Sequence, residues 1–480
     1  GSVISNDGEN LTVNGGKYIC NVRNPYSSAF TLANGSNRVE NVTIESKFTA
    51  IWVSLDCDSA VIKNSEITKQ YESGAYEGGI VCRTTNGTLD LDHVTVHALE
   101  GNALELVCGT ITIEDGEYTS DVGHAMEGYP ENDDAIDLTI TGGTYKSIST
   151  DYAVAALGCY GDKSTIKIHG GKFVGGQLLW FHGEGAETLT IDENTTLQSI
   201  GGTLDAVVVG HGQLFFNSGT IDISGGSERS ALRIVERGEA IVNDGTFKGA
   251  KYDIYERNND SRVSPCRVQL NNATFDDTVC NVYLQKNRQI DVAQNYTGEV
   301  TIECADPSDG RQLTKATETD YQKDLNLTSA NAGYLVGYKK TADGKGEYRC
   351  LSKEVGVTIN DLKSEIKAED TAEFTVTFTH AGSTGTGILT FGDKNSEIEY
   401  KDEESGAYQP MPNDGLPIDK NDYAFRITPK KAGEQTLTAA VVRDAVEVGK
   451  DSETYHVAGR VHATVTIEGL ENAVIKEGES

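Results

Sequence analysis

The segment Thr110-Ile111-Thr112-Ile113-Glu114-Asp115-Gly116-Glu117-Tyr118, "TITIEDGEY", alternates polar and apolar residues, enters an Asp-Gly turn and leaves on an aromatic. Alternation with a period of two places one set of side chains on each face of an extended strand, and Asp-Gly marks a turn. The pattern returns as "LTITGGTY" (138–145) and "TIKIHGGKF" (165–173), and precedes itself as "NLTVNGGKY" (10–18). Related segments begin near residues 41, 60, 88, 188, 220, 240 and 268, a period of about 20 to 32 residues. A second strand recurs between them: "AFTL" (29–32), "AIWVSL" (50–55), "GIVCR" (79–83), "ALELVC" (103–108), "AMEGY" (125–129), "LLWFHG" (178–183) and "ALRIVER" (231–237). Two strands per coil are therefore expected. One coil cannot bury its own inner face, whereas stacked coils share a continuous apolar column, and the 52 glycines suit the turns.

A stack of this kind resembles the right-handed parallel β-helix, or pectin-lyase-like, superfamily, in the form found in secreted and surface proteins of bacteria. The resemblance covers roughly residues 3 to 345, about eleven coils, and rests on the repeat pattern. After about residue 354 the rhythm changes. "EVGVTINDL", "AEFTVTFTH", "TGILTFG", "YAFRITPKKAGEQTLTAAVV" and "VHATVTIEG" alternate in polarity between turn signals, which reads as a β-sandwich of immunoglobulin type. The expected fold is all-β: a parallel β-helix with a C-terminal cap segment over residues 1–353, then an immunoglobulin-like sandwich and short tail over 354–480. The sandwich resembles the spacer domains of bacterial surface proteins.

Composition narrows the function. With 41 Lys+Arg against 73 Asp+Glu the formal charge is −32, so a nucleic-acid partner is disfavoured by repulsion. A solvated acidic surface suits a secreted or cell-surface protein. No run of about 20 apolar residues occurs, so no transmembrane segment is expected. Gly1-Ser2 reads as a cloning scar, compatible with a signal peptide or surface tether in removed regions. The nine cysteines are odd in number and lack CxxC spacing; they read as small core residues, and neither a metal nor a cofactor is expected. "ENDDAID" (131–137) reads as an acidic turn.

The candidate site follows from strand alternation. Taking Phe30, Ile51, Ile80, Leu104, Met126, Val154, Leu179, Val207, Leu232, Tyr252 and Val282 as inward, the solvent column is Thr31, Trp52, Val81, Glu105, Glu127, Ala155, Trp180, Val208, Arg233, Asp253 and Tyr283. A second outward column runs through Arg83, Tyr129, Leu157, His182, His211 and Tyr255. Glu105 and Glu127 are one coil apart, so their strands should be neighbours about 4.8 Å apart, and repulsion should push one carboxyl pKa up. Carboxyls about 5 to 5.5 Å apart serve retaining glycosidases and those at about 6.5 to 9.5 Å inverting ones. Trp52, Tyr129 and Trp180 can stack on sugar rings, while Arg83, His124, His182, His211 and Arg233 can donate hydrogen bonds. The loops 68–79 and 129–134 are expected to rise beside the glutamates. Gly210-His211-Gly212 and Arg233-Ile234 resemble pieces of polygalacturonases, but Val235 stands where that family has lysine and no upstream Asn-Thr-Asp element occurs. The catalytic aspartates of that family are not carried over.

The leading expectation is a glycoside hydrolase acting on host or dietary oligosaccharides, with Glu105 and Glu127 catalytic and the other eight residues binding substrate. The alternatives are a non-catalytic glycan-binding or adhesin module and a structural stalk.

Overall fold

In the computed structural model of the chain, the residues described are 2–6, 8–22, 24, 26–71, 78–130, 134–158, 164–223, 229–257, 266–276, 280–379 and 387–460. The chain forms two compact units, Gly1–Leu351 and Ser352–Ser480. The first is a parallel β-helix of about eleven turns. Its successive coils pair strictly in parallel, as in Leu104↔Met126, Ile111↔Leu138 and Tyr118↔Tyr145. Those three pairings lie in three separate strand ladders, so each coil carries three strand segments and the expected two is corrected. "TITIEDGEY" divides at its turn: Leu104–Ile113 ends before Asp115, and Gly116–Ser120 starts a new face. Gly116 makes that corner at φ +146°, where a Cβ would come within 2.3 Å of the Val94 carbonyl oxygen.

The inward ladder runs Phe30↔Ile51↔Ile80↔Leu104↔Met126 as expected. It then departs in two places. Met126 pairs with Ala155 rather than Val154, so Ala156 takes the outward place given to Ala155. Leu232 pairs with Ile254 rather than Tyr252, so the outward residue is Tyr255 and not Asp253, which is fully buried. His182 accordingly faces Gly158, not the buried Leu157.

Stacked aromatics fill the column. Tyr118, Tyr145 and Phe173 are fully buried on successive coils, with ring centroids 5.2 and 4.6 Å apart. Amide ladders tie the turns: Asn217 donates to Asp192, Asn243 to Asn217 and Asn271 to Asn243. Tyr334–Lys340 and Glu347–Lys353 pair as a two-stranded sheet beyond the coils. Cys20, Cys57, Cys82, Cys108, Cys280, Cys304 and Cys350 are buried, as small core residues would be.

The second unit contains two five-stranded sheets. One orders the strands Gly356–Asn360, Ala372–Thr379, Asp422–Pro429, Ser396–Lys401 and Tyr408–Pro410; the other orders Glu365–Lys367, Val446–Ala458, Gly433–Arg443, Gly387–Phe391 and Leu416–Ile418. Phe374, Phe378, Phe425, Leu389, Leu437 and Val441 form its core, a separate apolar cluster. This arrangement is compatible with a β-sandwich. "VHATVTIEG" (461–469) lies outside the described residues.

Candidate functional site

The ladder on the side of the first strand face away from the core reads Trp52, Val81, Glu105, Glu127, Ala156, Trp180, Val208, Arg233, Tyr255 and Tyr283, one residue per coil. It is not a solvent column throughout, since Val81 is fully buried and Glu105, Ala156 and Val208 nearly so. Glu105 and Glu127 are direct register partners. At about 4.8 Å per coil, Trp52 lies roughly 10 Å before Glu105 and Trp180 roughly 10 Å beyond Glu127. The tryptophans therefore flank the acids at about equal distance.

The two carboxylates differ in surroundings. Glu105 is 8% exposed, and its Oε2 accepts the Gly78 backbone N–H at 3.0 Å. A Cβ on Gly78 would fall 2.7 Å from the Glu105 Cβ, so the chain entering the coil passes close over this residue. Glu127 is half-buried and its Oε2 accepts the Asn102 side-chain amide at 2.6 Å. Asn102, 2% exposed, also accepts the His124 backbone N–H at 2.9 Å. Asn102 was not legible as part of the site; its signal is its place one coil before His124, a buried amide where the turn needs both a donor and an acceptor.

His124 is turned toward its own chain: Nδ1 lies 2.7 Å from the Ala153 carbonyl oxygen, and the ring packs edge-on against Tyr152. Tyr129 is 53% exposed. Arg83 is half-buried and faces Cys108 across a register shift. Burial pushes the Cys108 thiol up to about 11, with Asp134 adding to the rise and Arg83 opposing it. The loops at 72–77 and 131–133 lie outside the described residues.

Further along the ladder a second group assembles. Trp180 and His182 project from one face of the strand Gln177–His182 and stack at 5.3 Å. His182 stacks in turn on His211 of the next coil at 5.0 Å. Both histidine Nε2 atoms meet the same Glu236 Oε2, at 2.8 and 3.0 Å. Two imidazole nitrogens and a carboxylate oxygen form a donor set able to hold a metal. Glu236 was missed in the sequence because it lies past the strand Ser230–Val235, in a left-handed conformation at φ 49° that alternation cannot foresee. One coil on, Arg233 pairs with Asp205 at 2.5 Å and lies 5.7 Å above the Tyr255 ring, which stacks on Tyr283 at 4.8 Å. Asp205 Oδ1 also accepts both the N–H and the hydroxyl of Ser230, so this arginine is held in place.

The structure thus sets Trp52, Glu105, Glu127, Trp180 and Arg233 on one ladder and gathers His182 and His211 beside it. His124 is engaged with the backbone, and Arg83 sits by Cys108. No family model matches the sequence, and no curated protein does. Among solved structures, a conjugative transposon lipoprotein from Bacteroides eggerthii is similar at 12% identity and TM-score 0.18, over 22% of this chain and 98% of that one. So slight a likeness says nothing about function.

Proposed function

We propose that the outward ladder from Trp52 to Tyr283 is a carbohydrate-binding face and that Glu105 and Glu127 are the carboxylate pair of a glycoside hydrolase. The observation that supports this most is their direct register pairing between two tryptophans. Aromatic faces bind the apolar faces of sugar rings, and arginine, histidine and amide donors suit their hydroxyls. Glu127, the more open acid, takes the role nearer the substrate, with Asn102 fixing its carboxylate. Glu105 lies deeper and holds the second position. The substrate class is an oligosaccharide of host or dietary origin. The acidic surface and the resemblance to pectin-lyase-like proteins fit a secreted or surface-bound bacterial protein, whose second unit is an immunoglobulin-like spacer.

Glu127→Gln should lower turnover of a cleaved oligosaccharide by about 10²-fold or more, while leaving the melting temperature within a few degrees. Retained turnover would remove Glu127 from catalysis. One observation favours a second reading, a glycan-binding module without hydrolysis: Glu105 is 8% exposed and its Oε2 already accepts a backbone N–H. Glycan binding that persists through long incubation without cleavage would select that reading.

A further inference from the structure

Among the described residues, one group of His, Cys, Asp and Glu side chains brings three ligand atoms within 4.8 Å of one another: His182, His211 and Glu236. We propose that these residues form a binding site for a divalent transition-metal ion of the Zn²⁺ class. The proposal stands apart from the carboxylate pair and needs no hydrolysis.

Spacing is the first argument. Zn²⁺ bonds of about 2.0–2.1 Å in a tetrahedron set neighbouring ligand atoms about 3.3 Å apart. The two His Nε2 to Glu236 Oε2 separations, 2.8 and 3.0 Å, need only a few tenths of an ångström of opening. The two rings present the same nitrogen to the same oxygen. Because they stack only 23° from parallel, they must tilt toward each other for both in-plane lone pairs to meet one ion once the nitrogens are unprotonated.

Preorganisation is the second. The His182 ring lies against Gly210, where a Cβ would come within 2.3 Å of its Cδ2, and it stacks on Trp180 at 5.3 Å. Glu236 is held in a left-handed conformation that a glutamate rarely adopts. Its carbonyl accepts Arg267 Nη1 at 2.6 Å, and Arg267 is in turn fixed by a fully buried ion pair to Glu256. A strained backbone held by a buried arginine aims this carboxylate back across two coils.

The donor set selects the ion. Two imidazoles and one carboxylate suit Zn²⁺ and its neighbours, whereas Ca²⁺ and Mg²⁺ require mostly oxygen ligands. Three protein ligands leave a fourth position, and the Glu236 side chain is 54% exposed, so that position faces solvent. A formal charge of −32 raises the local concentration of cations.

The test uses the full chain, freed of metal by chelator and dialysed against Zn²⁺. One equivalent should bind and raise the melting temperature, and Co²⁺ in its place should show the intense visible absorption of a four-coordinate site. Outer-shell partners alone are worth about 10–100-fold in affinity, so His211→Ala and Glu236→Gln should each weaken binding on the order of 100-fold or more. His97→Ala, a surface histidine paired with Asp121, should leave it unchanged. Glu236 is exposed, so its variant keeps the test valid should His211→Ala fail to fold. Absence of Zn²⁺ uptake would overturn the proposal and leave a hydrogen-bonded triad. Equal uptake by wild type and Glu236→Gln would overturn it too, placing the ion at other surface histidines.

Discussion

Gly210 has no side chain where the His182 ring passes over it, and any Cβ there would sit 2.3 Å from the ring. The Gly210→Ala change should therefore tilt His182 off both Trp180 and His211. Trp180 fluorescence is expected to shift, while global stability falls by no more than about 1–3 kcal/mol, the usual range for overpacking. An unchanged emission spectrum would mean that the stack is not held by this glycine. His93 offers a different residue-level test. Its Nδ1 lies 2.5 Å from Asp92 Oδ1, and this hydrogen bond, with the nearby Asp115 and Glu114 charges, lifts its pKa above the ordinary histidine value. A raised folded pKa stabilises the fold below the unfolded value near 6.5, and that contribution is lost as pH rises through the folded pKa. Asp92→Asn should bring the His93 titration, followed by NMR, back down toward 6.5; an unmoved midpoint contradicts the pairing.

At the scale of elements, stability lies in ladders that cross coils. Tyr145 is fully buried between Tyr118 and Phe173, and its hydroxyl donates to the Gly142 carbonyl at 3.1 Å. Tyr145→Ala should cost about 3–5 kcal/mol, as large aromatic truncations do, and Tyr145→Phe only about 1 kcal/mol for the lost hydrogen bond. Chemical denaturation of the two variants reads both values. The repeat was legible because the inward Ile, Leu and Val residues alternate so regularly in "TITIEDGEY" and its relatives. Alternation failed where its physical basis fails. The strand Ala153–Gly158 is buried along its whole length, and the strand Tyr252–Arg257 buries Asp253 against Asn281, so neither displays which residue points inward. The third strand of each coil was hidden by the Gly116-type corner, which sequence shows as a turn without saying how far it rotates the chain.

For the whole molecule, the acidic excess makes a prediction of its own. Self-repulsion at a formal charge of −32 opposes the compact state, so the melting temperature at pH 7 should rise as salt increases from about 0.01 to 0.15 M, over which the screening length shortens from about 30 to 8 Å. A flat response would mean that local pairs already balance the charge. The candidate site was legible to the extent that it follows one ladder: Trp52, Glu105, Glu127, Trp180 and Arg233 fell in line from spacing alone. Glu236, Asn102 and Asp205 were not legible, because each joins the face from a turn whose direction only the folded coil determines. The central claim is that this face binds carbohydrate. A glycan array comparing wild type with the Trp52→Ala/Trp180→Ala double variant tests it most directly: the account predicts binding by wild type that drops at least about tenfold in the variant, and binding unaffected by loss of both rings would contradict it.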